Sequence, residues 1–247
     1  MINEIAYAAQ SRYATLIDGW RSIFTAELMS SDFSASATRA RVGRRAWAMA
    51  FDLYYKGERK LIAEEISRVS ETAQGALLSV LTDTQRKTVK DALIQHQNAS
   101  VAYLNVEIEM LVRLDVVTLK QRFMESVIDI ERRSRLRGIP KQQALIEIEM
   151  TRPQIGRRDS AGRLFSSDIV ARNAWRLTLL GIQNEIVLQV ATALGARRVK
   201  IMKPDRAGPV LQGHVSLDGL TDGLDFETAR RQFFHPNSNA YLEIENV

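Results

Sequence analysis

The chain contains no cysteine, which excludes disulfides and any metal site built on thiolate. Proline is scarce, with five in 247 residues, and none precedes Pro140. Neither glycine nor proline occurs between Ala76 and Arg137, a gap that only sustained helix explains, because either residue would punctuate an element sooner. No apolar run approaches the roughly 20 residues of a membrane helix, so no membrane partner is expected. The start, Met1-Ile2-Asn3-Glu4, lacks a basic region followed by an apolar core, and no secretory signal is expected. Two signatures of catalysis are also missing: a phosphate-binding glycine loop with Lys-Ser/Thr, and a Gly-x-Ser-x-Gly elbow.

What is present is enough apolar material for a core, 45% of residues, with 26% charged. The net charge is +5, and the arginines come in bursts: Arg39/Arg41/Arg44/Arg45, Arg132/Arg133/Arg135/Arg137 and Arg152/Arg157/Arg158/Arg163. Guanidinium suits phosphate and carboxylate alike. Solvated helix faces and ion pairs compete with DNA contact as readings of these bursts.

Residues 2 to 28 carry Ile2, Ile5, Ala9, Tyr13, Leu16, Ile17, Trp20, Phe24 and Leu28 at three- and four-residue steps, which predicts a helix with one apolar face. Small polar residues from Met29 to Ala37 break it. A second helix resumes near Ser36 or Thr38 and carries Trp47, Phe51 and Tyr54; Lys56-Gly57 is expected to stop or kink it. From Glu58 the pattern is strongly helical. Thr82-Asp83-Thr84-Gln85 reads as a capping box opening a new helix. Its apolar seam runs through Val101, Leu104, Ile108 and Leu111, then Val112, Val116, Leu119, Phe123, Val127 and Ile130. Unbroken from Asp83 to Leu136, this helix would be about 80 Å long and would need a partner helix or a neighbouring subunit along the seam. A break at Gln97-Asn98-Ala99-Ser100 is the alternative.

Gly138 and Pro140 end that region, and a short helix covers 141–150. We place a helical arm or bundle at residues 1–152, a basic linker at 153–165 and a separate module at 166–247. In the module Ser167 caps a helix that Gly195 stops, with Asp168 against its dipole. Short strands follow at 197–202, 210–215 and 241–244, and a last short helix at 225–232. The expected class is mainly α: a long-helix bundle or arm with a small α+β module, one long helix packed on a short antiparallel sheet.

The module holds two of the three histidines. His214 and His235 could converge with Asp218 or Asp222 on a metal, since imidazole and carboxylate are competent ligands. Close His-x-x-His pairing is absent, however. The simpler reading is that His214 and Asp218 shape a strand-turn while His235 and Asn237 hold backbone in the final turn. No metal, cofactor or catalytic residue is assigned. The strand Arg197-Arg198-Val199-Lys200-Ile201 alternates, with Arg198 and Lys200 opposite Val199 and Ile201. Arg132, Arg133, Arg135, Arg197, Arg198 and Lys200 are the expected contacts to an acidic partner or to phosphate.

One order of motifs stands out: a helix ending in Leu194-Gly195, a strand, His214-x-x-x-Asp218-Gly219, then His235-Pro236-Asn237 before Tyr241-Leu242. It resembles the C-terminal domain of the phage Mu F-like head-morphogenesis (minor capsid) family, over the last third of the chain. Members of that family carry Cys-x-Cys straight after His-Pro-Asn, where this chain has Ser238 and Ala240. The resemblance implies a non-enzymatic minor head protein of a tailed phage, located in the virion at the portal or inner capsid and supporting head assembly or DNA packaging and ejection. Its implied partners are the portal, the major capsid protein, further copies of itself and packaged double-stranded DNA. The family-motif residues His214, Asp218, Gly219, His235, Pro236 and Asn237 would shape the fold. A ring-forming connector or neck protein, an ejected DNA-binding virion protein and a metal-dependent enzyme using His214 and His235 stay open as alternatives.

Overall fold

A computed structural model describes residues 1–29, 35–149, 155–158, 161–235 and 238–245. The chain is mainly helical, with a small C-terminal antiparallel sheet. In order, the elements are α1 (Ile2–Leu28), α2 (Ala35–Met49), a π-helical turn (Ala50–Tyr55), α3 (Lys56–Leu77), a 3-10 turn (Leu78–Val80), α4 (Asp83–Arg137) and α5 (Lys141–Glu149). Then come β1 (Gly156–Arg158), β2 (Leu164–Ser166), α6 (Ser167–Ala193), β3 (Arg198–Lys203), β4 (Val210–Ser216), α7 (Phe226–Phe233) and β5 (Tyr241–Ile244).

The helix ends follow local chemistry. The Thr82 amide donates to Gln85 Oε1 at 3.0 Å and the Gln85 amide to Thr82 Oγ1 at 3.4 Å, a reciprocal cap that opens α4. Gly138, at φ 63°, closes it, in the left-handed conformation that side chains with a Cβ resist. Between these ends α4 is unbroken for 55 residues, passing through residues 97–100.

Lys56-Gly57 neither stops nor separates α2 from α3; the irregularity is the π turn just before it. The Ala46 carbonyl accepts from Trp20 Nε1 at 2.9 Å. The turn sets Tyr54 inward, edge-on to Tyr13 at 4.9 Å, while Phe51 and Tyr55 stack outside.

The chain gathers into two compact units. One contains Met1–Ala6, Lys60–Val106 and Asn173–Val247; the other contains Tyr7–Arg59 and Glu107–Arg172. Helices α1, α3, α4 and α6 each supply residues to both. This grouping differs from a cut at residues 153–165, because the C-terminal module is tied to distant sequence. Gln85 Nε2 donates to the Ala193 carbonyl at the end of α6 (2.6 Å). Arg176 Nε donates to Asn3 Oδ1 (3.0 Å). Part of the expected linker is also ordered: β1 and β2 form an antiparallel hairpin with Arg157 opposite Phe165, next to α6 in the second unit.

In the first unit the sheet order is β4-β3-β5. Val199 and Ile201 are buried and Arg198 and Lys200 half-buried, the alternation expected of a sheet with one covered face. Asn184, buried on α6, accepts the Leu242 amide at 3.0 Å, which satisfies a donor of the edge strand β5. Arg176 also donates to the Ser238 carbonyl and to Asn239 Oδ1, clamping α6 to the residues before β5.

The second unit buries the α4 seam. Val112, Val116, Leu119, Phe123, Val127 and Ile130 are buried; Phe24 of α1 meets Phe123 edge-on at 5.2 Å. Ile130 clusters with Ala144, Leu145 and Ile148 of α5, and Leu28 and Ile139 pack on the cluster. In the first unit Leu104 is buried as well. The chain therefore covers this seam with its own helices, which is the partner-helix alternative of the two expected, and not the neighbouring subunit. Short helices and α1 supply the apolar surface that a period count on α4 alone leaves out.

Candidate interaction surfaces

Helix α4 has a second apolar face. In the second unit Met110, Leu114 and Val117 recur at steps of four and three. At 3.6 residues per turn they fall within roughly 60° of one another, on the side away from the seam. All three are exposed, at 54%, 47% and 59%. One such residue on a surface needs no explanation, whereas an aligned row marks a place of contact.

Beside this face the second unit has an open groove of about 700 Å³, lined by Met110, Arg113, Leu114, Val117, Gly156, Arg157 and Arg158. The hairpin forms its other wall. Gly156 is required there: a Cβ would lie 2.1 Å from the Phe165 carbonyl oxygen. The groove's polar lining is arginine alone. Arg113 pairs with Glu109 at 2.5 Å and lies over the Trp47 ring. Tyr55 Oη also donates to Glu109, and these bonds, Tyr55 first, hold the Glu109 carboxyl below its usual range. Arg158 Nη1 donates to the Gly162 carbonyl at 2.7 Å. Arg157 Nε is buried without a hydrogen-bond partner.

The same unit holds a buried polar cluster. Tyr13 Oη donates to Asp115 Oδ2 at 2.6 Å. Burial raises the Asp115 pKa to about 6, against the opposing pull of Tyr13, Ser167 and Arg157. Tyr13 itself is pushed well above its usual value by burial and by Asp115. Arg12 holds the buried Glu58 with two bonds of 2.8 Å. Tyr13 Oη, Asp115 Oδ2 and both Glu58 oxygens are bonded to other side chains of the unit, so the cluster serves as a structural network.

The expected contact residues fall into the two units, three in each. In the second, on the last turns of α4, Arg132 lies 3.5 Å from Asp129, and Arg133 lies 3.6 Å from Glu147 on α5. Arg135 is exposed. In the first, Arg197 is exposed just before β3. Arg198 makes two bonds to Glu245, at 2.6 and 3.2 Å, which depress the Glu245 carboxyl and raise the Arg198 pKa. Lys200, half-buried, pairs in register with His214 on one side and Glu243 on the other. The alternation of this strand is visible in sequence; its pairing with residue 245 is not, because the acid arrives from the far end of the chain.

The motif residues shape a loop. Asp218 accepts from the amides of Leu220 (2.9 Å) and Thr221 (2.8 Å) and from the hydroxyls of Thr221 (2.8 Å) and Ser216 (3.2 Å). These bonds, the backbone amides foremost, hold its carboxyl far below the ordinary range. Gly219 takes φ 69°. Leu224 returns beside β4, its amide donating to the His214 carbonyl at 2.9 Å. His214 Nε2 is buried 3.7 Å from Glu245 Oε1. The His235 carbonyl accepts from the Ser238 amide at 2.9 Å. Pro236 and Asn237 lie outside the described residues. Among the described residues no three His, Asp or Glu side chains come together as metal ligands, and no helix is long and apolar enough to cross a membrane.

No family model, no curated protein and no solved structure matches the chain.

Proposed function

We propose that the protein is a structural docking subunit, a minor head protein of a tailed phage that binds at the portal or inner capsid and supports head assembly or DNA packaging and ejection. The observation that carries the docking role is the two-faced α4. Its seam is covered by the chain, while Met110, Leu114 and Val117 on its other side remain in water. Burial of apolar area is worth about 25 cal/mol per Å², so such a row is a standing drive toward association. The phage assignment rests on the motif order from Leu194-Gly195 through His214, Asp218-Gly219 and His235. The hydrogen bonds of Asp218 and the strand register of β3, β4 and β5 are compatible with the shaping role which that resemblance implies.

Packaged DNA is proposed as a secondary contact through Arg135 and Arg197, the two of the six expected basic residues that are exposed and free of any ion pair given above. Phosphate contacts release counterions, so duplex affinity would fall steeply with salt.

The test is incorporation. Particles purified from cells in which the encoding replicon is induced should contain the chain, at a low and fixed ratio to the major shell protein by quantitative mass spectrometry. Complete assembly of filled particles without it would overturn the proposal. A copy number equal to that of a closed ring would favour the connector reading.

A further inference from the structure

We infer that the groove between α4 and the β1–β2 hairpin receives an acidic amphipathic helix of a partner protein, an assignment that rests on the docking role proposed above and names the chemistry of the segment that docks. The floor, Met110, Leu114 and Val117, repeats at steps of four and three. Another helix laid along it presents apolar side chains at the same spacing. The polar lining is Arg113, Arg157 and Arg158. Arg113 is already shared with Glu109 and Arg157 acts on the buried Asp115, which leaves Arg158, exposed on β1, as surplus positive charge at the hairpin wall. Arg158 spends one N–H on a neutral carbonyl. Carboxylates on the flank of an incoming helix would meet Arg158, and guanidinium engages carboxylate through paired, directed bonds.

The same features argue against other occupants. A second copy meeting this groove through a two-fold axis would set arginines against arginines, and like charges brought together oppose association. Nucleic acid would satisfy the arginines but leave the three apolar side chains with nothing to cover them.

A display library of helical eighteen-residue peptides, selected against the full-length chain, tests the inference. Enriched sequences are expected to carry apolar residues at i, i+3, i+4 and i+7 with Asp or Glu alongside. Their affinity is expected to fall at least tenfold in Leu114→Ser, and separately in Arg158→Glu, with loss on raising salt. Leu114 and Val117 are both exposed, so Val117→Ser serves equally should Leu114→Ser prove unstable; circular dichroism checks each. Basic or unpatterned enriched sequences, or binding indifferent to these substitutions, would overturn the assignment. Displacement of the peptides by duplex DNA, or a concentration-dependent dimer abolished by Leu114→Ser, would overturn it in favour of those occupants. A chain that enters particles yet selects no acidic helix refutes the groove and spares the assembly role. One that selects such helices but is absent from particles does the reverse.

Discussion

Tyr13 on α1 and Asp115 on α4 meet through one hydrogen bond of 2.6 Å, with both side chains buried. The bond fixes the two helices against each other within the second unit. It also places a carboxyl where ionisation is costly, since burial disfavours the charged form.

Asp115 should make stability depend on pH in an unusual direction. Its folded pKa, about 6, lies above the ordinary carboxyl value, so the folded state holds the proton more tightly than the unfolded chain. Its contribution is therefore fully present below about pH 4 and is lost as pH rises through 6. The full swing is on the order of 3 kcal/mol. Urea unfolding at pH 5 and at pH 7.5 should show the native chain gaining stability at pH 5 relative to Asp115→Asn, whose amide oxygen still accepts from Tyr13. Parallel pH profiles for the two proteins would show that Asp115 does not titrate in this range.

The Arg12–Glu58 pair should behave as a buried ion pair. Glu58 keeps 2% of its side-chain surface in water and Arg12 a third. Replacing only Arg12, as in Arg12→Met, strands the carboxylate and is expected to cost about 3 kcal/mol. Adding Glu58→Leu should recover much of that loss. Chemical denaturation of the three variants decides this, and additive losses would refute coupling.

Gly156→Ala should open the hairpin. The added methyl has no room against the Phe165 carbonyl, which is backbone and cannot swing aside. A cost of about 1–3 kcal/mol is expected for such overpacking. Hydrogen exchange at the Ser167 amide, which donates to the Ile155 carbonyl at 3.2 Å, should accelerate. Unchanged exchange would mean that the strands accommodate the methyl.

Asp218→Ala should release the 217–223 loop without unfolding the sheet. The carboxylate accepts from two amides there, so exchange at Leu220 and Thr221 should quicken while Val199 and Ile201 stay protected. Because the Asp218 carboxyl is held below its usual range, its stabilising effect is present at neutral pH and fades only in strong acid. Leu220, 91% exposed at the loop tip, gains nothing from this order within the chain.

How much of this was legible in sequence depends on distance along the chain. The α4 start is readable because Thr82 and Gln85 cap each other locally, and its end because Gly138 and Pro140 stand together. The β3, β4 and β5 strands are readable from alternation and turns. The seam is readable as apolar, but not what covers it, because Phe24 reaches Phe123 from a hundred residues away. The exposed row Met110, Leu114, Val117 is present in the same periodicity and is hidden by it: an apolar residue on either face scores alike until burial is known. The hairpin is masked by its arginines and glycines, which read as linker. The Arg198–Glu245 pair is masked by the separation of its halves.

Oxidation of Met110 gives the most direct test. Its thioether lies half in water on the uncovered face, where peroxide converts it readily to the sulfoxide. Footprinting by mass spectrometry is expected to show rapid oxidation in the isolated chain and strong protection in purified particles. Equal oxidation in both would mean that nothing docks on α4, and the proposed role would fail.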